Sequence, residues 1–244
     1  MLQSYYDSES PRYDRTRGGE ARAAAAAAAI LELLPSAART VLDVAGGTGI
    51  VGARLGRRVI SLDRSFGMAT VAASRLPGRV VLGDAARLPV ASHSVDAVTT
   101  VWLLHLLNDA AEVIAGVARV LRPGGVFITT VDKSAAHYET EDDVGAVLGP
   151  VWRATHAPAT DSLPTVTALA DRHGLALVGE TTFTGVGQAR GPAGWIEFLA
   201  DPMSGWLARC GADRVAELRK RLAALPDQTH PRSQPTYHLV AFTG

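Results

Sequence analysis

The chain has 244 residues, with 24 Lys or Arg against 24 Asp or Glu and a formal net charge of zero. That length suits one α/β domain, residues 1–244, with a sizeable core and room for a small cap; two compact domains would be a squeeze. Balanced charge argues against a dedicated nucleic-acid binder, which shows a basic stripe; the nearest run, RVAELRKRL from Arg214, is interrupted by Glu217 and reads as a solvated helix face.

The first twenty residues are polar, carry Tyr5, Tyr6 and Tyr13, and read as an irregular or mobile arm. A helix over about 20–34 follows and is stopped by Pro35, so that 1–35 form an arm and helix ahead of the sheet. The alanine run at 23–29 does not read as a secretory leader. Asp7, Glu9, Asp14 and Glu20 precede it where such a leader needs positive charge, and Glu32 interrupts the apolar stretch. Alanine is simply a strong helix former. With no window near the roughly 20 apolar residues of a membrane span, the chain reads as cytoplasmic, with no membrane partner.

A rhythm then begins. Short apolar runs at 41–44, 59–62, 80–82, 97–101 and 126–131 read as buried strands, and helical segments at 50–57, 65–75 and 110–121 separate them. Strand and helix alternating at this interval give a parallel sheet covered on both faces. Residues 132–163 break the rhythm and read as an insertion, either a substrate cap or a long connection. Beyond it come a helix at 165–173, a strand at 175–183, mostly helix over 193–225 and a last strand at 237–243. Cys210 is the sole cysteine, which excludes a disulfide framework, and no Asp/Glu/His set has metal-ligand spacing, so no metal is expected.

The sharpest local signal is Asp43-Val44-Ala45-Gly46-Gly47-Thr48-Gly49. A strand runs into a glycine-rich turn, where missing side chains let backbone approach a ligand. Gly47-x-Gly49-x-x-Gly52 also satisfies the G-x-G-x-x-G pattern of dinucleotide folds, and an acid ending the second strand, Asp63, suits either ligand. The following motifs separate the two. Gly83-Asp84-Ala85-Ala86-Arg87-Leu88-Pro89, Ser94-Val95-Asp96-Ala97-Val98 and Leu121-Arg122-Pro123-Gly124-Gly125 stand in order behind the glycine loop.

With these motifs in register, residues 36–131 resemble the class I S-adenosylmethionine-dependent methyltransferases of small-molecule type. The resemblance implies a Rossmann-like, doubly wound seven-stranded sheet of order 3-2-1-4-5-7-6 with the last strand antiparallel. Ligands of open α/β sheets lie over the carboxyl ends of the strands. It also implies S-adenosyl-L-methionine as cofactor. Gly46, Gly47 and Gly49 would wrap its amino-acid end, supported by Asp43. Asp63 would accept from the ribose hydroxyls, and Asp84, with Ala85 beside it, would meet the adenine amine. Ionised carboxylates are acceptors only and so match these donors. Tyr13 and Arg17 of the arm, with Tyr5 and Arg15 as further candidates, would close over the cofactor and pair with its carboxylate.

The Asn/Asp-Pro-Pro-Tyr/Phe motif of enzymes that methylate polymer amides and amines is absent after the fourth strand. Thr100-Val101-Trp102-Leu103-Leu104-His105 stands there instead. The resemblance therefore makes His105 the leading candidate for a general base or substrate-orienting group, ahead of His137 and His156, with Trp152, Trp195 and Trp206 as candidate walls of an aromatic pocket. The implied reaction is methyl transfer to an N, O or C nucleophile of a small molecule. An NAD(P)-dependent oxidoreductase and a catalytically silent cofactor-binding protein are the alternatives.

Overall fold

The computed structural model describes residues 2–155, 159–201 and 204–244; His156 lies outside them. At its centre is a sheet of seven strands, β1 (Thr40–Val44), β2 (Arg58–Asp63), β3 (Val80–Leu82), β4 (Val95–Thr100), β5 (Leu121–Val131), β6 (Ala176–Thr184) and β7 (Thr236–Thr243). Their order is β3-β2-β1-β4-β5-β7-β6. The first five are parallel, and β7 runs antiparallel between β5 and β6. This is the order, with the reversed strand, that the motifs imply.

The helices are α1 (Leu2–Glu9), α2 (Tyr13–Thr16), α3 (Gly19–Leu33), α4 (Phe66–Arg75), α5 (Ala111–Val120), α6 (Ala135–Tyr138), α7 (Asp143–Thr155), α8 (Leu163–Asp171), α9 (Pro192–Ala200) and α10 (Trp206–Ala223). Strands buried on both faces need apolar residues on both sides. Val41 and Val59 pack with Ala26, Ala29 and Ile30 of α3 on one face. Leu42, Val98 and Phe127 pack with Ile114 and Val117 of α5 and Val166 of α8 on the other. The alanine run of α3 thus becomes a close-packing surface.

The insertion forms α6 and α7, which share a third core with α9 and α10 built on Tyr138, Leu148, Trp152, Trp195 and Trp206. Trp152 and Trp206, candidates for a pocket wall, serve as filling of this core and line neither cleft described below. No helix among the described residues is long and apolar enough to cross a membrane.

Two local expectations fail. Residues 50–57 form no α-helix, only a 3₁₀ turn at Gly52–Arg54. Gly49 and Gly56 take left-handed φ of +71° and +60°, and glycine is a poor helix former. The arm, for its part, is helical and tied down. Asp7 Oδ1 accepts from Ser65 Oγ at 2.6 Å and the Gly67 N–H at 3.0 Å. Asp14 Oδ1 accepts from Thr48 Oγ1 at 2.6 Å, and its other oxygen pairs with Arg75 at 2.7 Å. Acids that read as solvated tail residues anchor the arm to the loops after β1 and β2.

Candidate active site

A cleft of about 1230 Å³, counted out to its mouth, opens at the carboxyl ends of β1 to β4. The glycine loop forms its floor. A Cβ on Gly46 would run into Ser61 Oγ and come within 2.7 Å of Asp43 Oδ2, so this position tolerates no side chain. Gly47 has a left-handed φ of +58°, and a Cβ there would meet nothing within 4 Å. Its backbone faces open space. Gly49 shares the left-handed geometry but packs toward α4, where a Cβ would lie 3.2 Å from Ala72 Cβ; unlike Gly46 and Gly47, it does not line the cleft.

Three carboxylates approach this floor. Asp43 is buried at 5 % exposure, and its Oδ1 accepts from Thr99 Oγ1 at 2.7 Å. Burial pushes it up to about 6, against the hydrogen bond from Thr99 and with a smaller push from Asp63. Asp63 Oδ2 accepts from the Gly47 N–H at 2.9 Å and Oδ1 from the Ser65 N–H at 2.8 Å, which couples the β2 acid to the β1 loop. Burial raises its pKa as well, opposed by those two N–H groups. Asp84 is exposed, lines the cleft beside Ala85, and caps the turn after β3 by accepting the Ala86 N–H at 3.0 Å.

The arm supplies the roof. Tyr13 and Arg17 line the cleft, and Arg17 donates to Tyr5 Oη at 3.0 Å. Tyr5 and Arg15 are not among its lining residues, and Arg15 is exposed. Tyr6, Arg22 and Trp102 also line it, and sequence reasoning missed all three. Arg22 had a readable signal. It is a lone cation on the alanine face of α3, four residues before the buried Ala26, and it is itself 6 % exposed. Its guanidinium lies 3.4 Å from the centre of the Trp102 ring, and its Nε is buried with no hydrogen-bond partner.

His105 sits in the turn Leu104–Leu106 after β4, half-buried, and is not among the residues lining the large cleft. Its Nδ1 is buried with no partner. Burial, then the charges of Lys133, His137 and Arg22, hold it well below the usual imidazole value, so it is neutral at pH 7. His137 is depressed likewise, by burial and by Lys133. Its Nε2 meets Tyr237 Oη at 2.9 Å, and with Arg190 and Trp195 it lines a second, smaller cleft.

A strand-end cleft with a glycine floor and an acid at or near the end of each of β1, β2 and β3 stands where doubly wound sheets bind their ligands. Residues 42–129 match the family described as "Methyltransferase domain". Over 97 residues the chain is 46 % identical to an uncharacterized methyltransferase of Mycobacterium tuberculosis, covering 38 % of this chain and 40 % of that protein. Over another 97-residue match it is 41 % identical to demethylmenaquinone methyltransferase of Thermobifida fusca, covering 36 % of this chain and 41 % of that one. The match thus spans only about two fifths of each relative. Among solved structures, the fold is shared with geranyl diphosphate C-methyltransferase of Streptomyces coelicolor, in complex with Mg2+, geranyl diphosphate and S-adenosyl-L-homocysteine. The TM-score is 0.53 at 16 % identity, covering 90 % of this chain and 78 % of that one. The match over 42–129 and the order of the whole sheet both point to the class I methyltransferase fold.

Proposed function

We propose that the protein transfers a methyl group from S-adenosylmethionine to an N, O or C nucleophile of a small molecule. The observation that carries this reading is the acid-and-glycine end of the large cleft. Asp43 is a carboxylate that burial pushes up to about 6; the cofactor's ammonium suits it. Gly46 and Gly47 leave backbone open to the amino-acid moiety, Asp63 has lone pairs left for ribose hydroxyls, and Asp84 stands at the rim for the adenine amine. Tyr13 and Arg17 roof the cofactor, with the Arg17 fork matched to its carboxylate.

When bound, the cofactor supplies a methyl already activated on a sulfonium. The chain's own tasks are then alignment and exclusion of water. The arm covers the cleft from solvent, and Trp102 and Leu103 wall the side where β4 ends. His105 is neutral, its Nδ1 is buried without a partner, and it stands in the turn directly behind the lining residues Trp102 and Leu103, from where it would orient the acceptor. Its depressed pKa makes it a weak proton sink, which favours the orienting role over strong-base catalysis.

A dinucleotide fits less well. Its pyrophosphate rests on the N-terminus of the helix that follows the glycine loop, and here that helix is replaced by a 3₁₀ turn. Calorimetry decides the matter: saturable micromolar-range binding of S-adenosylhomocysteine, with none of NAD(H) or NADP(H), is expected. The opposite preference would overturn the reading, and screening labelled methyl transfer against metabolite pools separates an enzyme from a silent binder.

A further inference from the structure

Beside the acid-lined end lies a group of four cations. Arg17 and Arg22 line the large cleft and Arg190 the smaller one. Lys133 follows β5 and is depressed to about 8, first by burial and then by the charges of Arg22, Arg17 and Arg190. None of the four enters an ion pair among the described residues. Arg22 is held by a carbonyl and an aromatic face: it donates to the Arg17 carbonyl at 3.0 Å and stacks on Trp102. Arg190 lies over Phe198 at 4.4 Å and Trp195 at 5.1 Å. One acid acts on Lys133: Asp161 accepts that residue's backbone N–H through Oδ2 at 2.9 Å, and its buried Oδ1 makes no hydrogen bond.

A chain of contacts through the fully buried Tyr237 runs between the two clefts. The Trp102 ring meets Tyr237 edge-on at 5.6 Å, and Tyr237 Oη meets His137 at 2.9 Å and Gln188 at 2.5 Å. Arg22 thus stands at the large-cleft end of this chain of contacts and Arg190 at the small-cleft end, with Lys133, which lines neither cleft, close enough to feel both charges. Burying unpaired charges is costly, and a site that keeps them is built for a counter-charge. The cofactor does not supply enough. It carries an ammonium and a sulfonium against one carboxylate, and Arg17 suffices for that carboxylate. The sulfonium then adds to the positive field of Arg22, Lys133 and Arg190.

We propose that the methyl acceptor is a small organic anion whose carboxylate or phosphate is held by Arg22, Lys133 and Arg190 beside Trp102 and Tyr237. The guanidinium forks suit either oxyanion. The inference rests on the reading of the large cleft as a cofactor site, and the experiment keeps the two apart. Full-length protein is saturated with S-adenosylhomocysteine, with binding verified by calorimetry. It is then titrated with benzoate, inorganic pyrophosphate or neutral benzamide at constant ionic strength. At least one anion should bind saturably and benzamide should not; the better anion distinguishes carboxylate from phosphate.

In Lys133→Gln/Arg190→Gln the anion should bind about ten-fold more weakly or worse, since two charged donors are lost, while S-adenosylhomocysteine affinity is kept. If the double variant loses its native circular-dichroism spectrum, Lys133→Gln should weaken the anion and Lys133→Arg should retain it. Cofactor binding without anion binding, or equal anion binding in wild type and variant, overturns the anionic acceptor alone. Failure of S-adenosylhomocysteine to bind overturns the cofactor reading and this inference with it.

Discussion

The two ends of the active-site region are opposites in charge and in construction. The glycine-loop end gathers Asp43, Asp63 and Asp84 from the ends of three consecutive strands, each within a contiguous motif. The other end gathers Arg22 from α3, Lys133 from the segment after β5 and Arg190 from the residue pair before α9. The first is a local device repeated along the sheet, the second an assembly of distant segments. A common cofactor can be met by a conserved-looking local grammar, whereas an acceptor peculiar to one protein is met by whatever the connections bring near it.

The largest effect is expected at the junction of the two ends. With an acceptor in hand, His105→Ala should lower turnover by roughly 10²-fold, the cost of a misplaced acceptor, while S-adenosylhomocysteine affinity stays within about two-fold. Since the imidazole is held well below its usual value, the wild-type rate should show no inflection near pH 6.5. Turnover close to wild type at saturating cofactor would remove His105 from the acceptor side.

Next is Asp63→Ala, which strips the acceptor shared by the Gly47 and Ser65 N–H groups and the proposed ribose. Hydrogen bonds to a charged group are worth about 1.5–3 kcal/mol, so S-adenosylhomocysteine should bind roughly ten-fold more weakly or worse. An unchanged dissociation constant with a native circular-dichroism spectrum would place the ribose elsewhere.

Asp43→Asn tests the acid end from the opposite direction, through stability. A carboxyl raised from 3.8 to about 6 by burial favours folding below its unfolded pKa and loses that contribution as pH rises through 6. At pH 7 the ionised group therefore costs the free protein up to about 3 kcal/mol. The amide still accepts from Thr99, so Asp43→Asn should raise the melting temperature at pH 7 by several degrees (about 2–4 °C per kcal/mol) and should give little difference below about pH 4. Cofactor affinity should fall in the same variant. Equal melting temperatures at pH 7 would mean that Asp43 is ionised without cost.

The smallest effect is expected in the arm. Asp14→Ala breaks the contacts to Thr48 and Arg75 and should cost on the order of 1 kcal/mol, with S-adenosylhomocysteine a few-fold weaker. Faster proteolysis within residues 2–16 should accompany it, and an unaltered digestion pattern would show that the arm is held by other contacts.

Much was legible without coordinates because it is local. Apolar runs mark the strands, and the glycines and acids that follow them sit within a few residues of each strand end; from these the sheet order and the acid-lined cleft could be read through the family's motifs. The same local reasoning misjudged 50–57, where left-handed Gly49 and Gly56 bound the segment and leave only a 3₁₀ turn. It also misjudged the arm, whose acids find partners 34 and 58 residues away. Tryptophans distributed through 152–206 gave no sign that Trp152 and Trp206 pack with Tyr138 in a core while Trp102 lines the cleft.

By itself, then, the sequence determined the alternation of elements, the glycine floor and its three acids, because each depends on neighbours along the chain. Only the tertiary structure decided that Lys133 feels the charges of Arg22 and Arg190, and that His105 is neutral near Lys133 and Arg22. Charge proximity and desolvation depend on distances through space, and no spacing along the chain encodes those distances when the groups come from three separate connections.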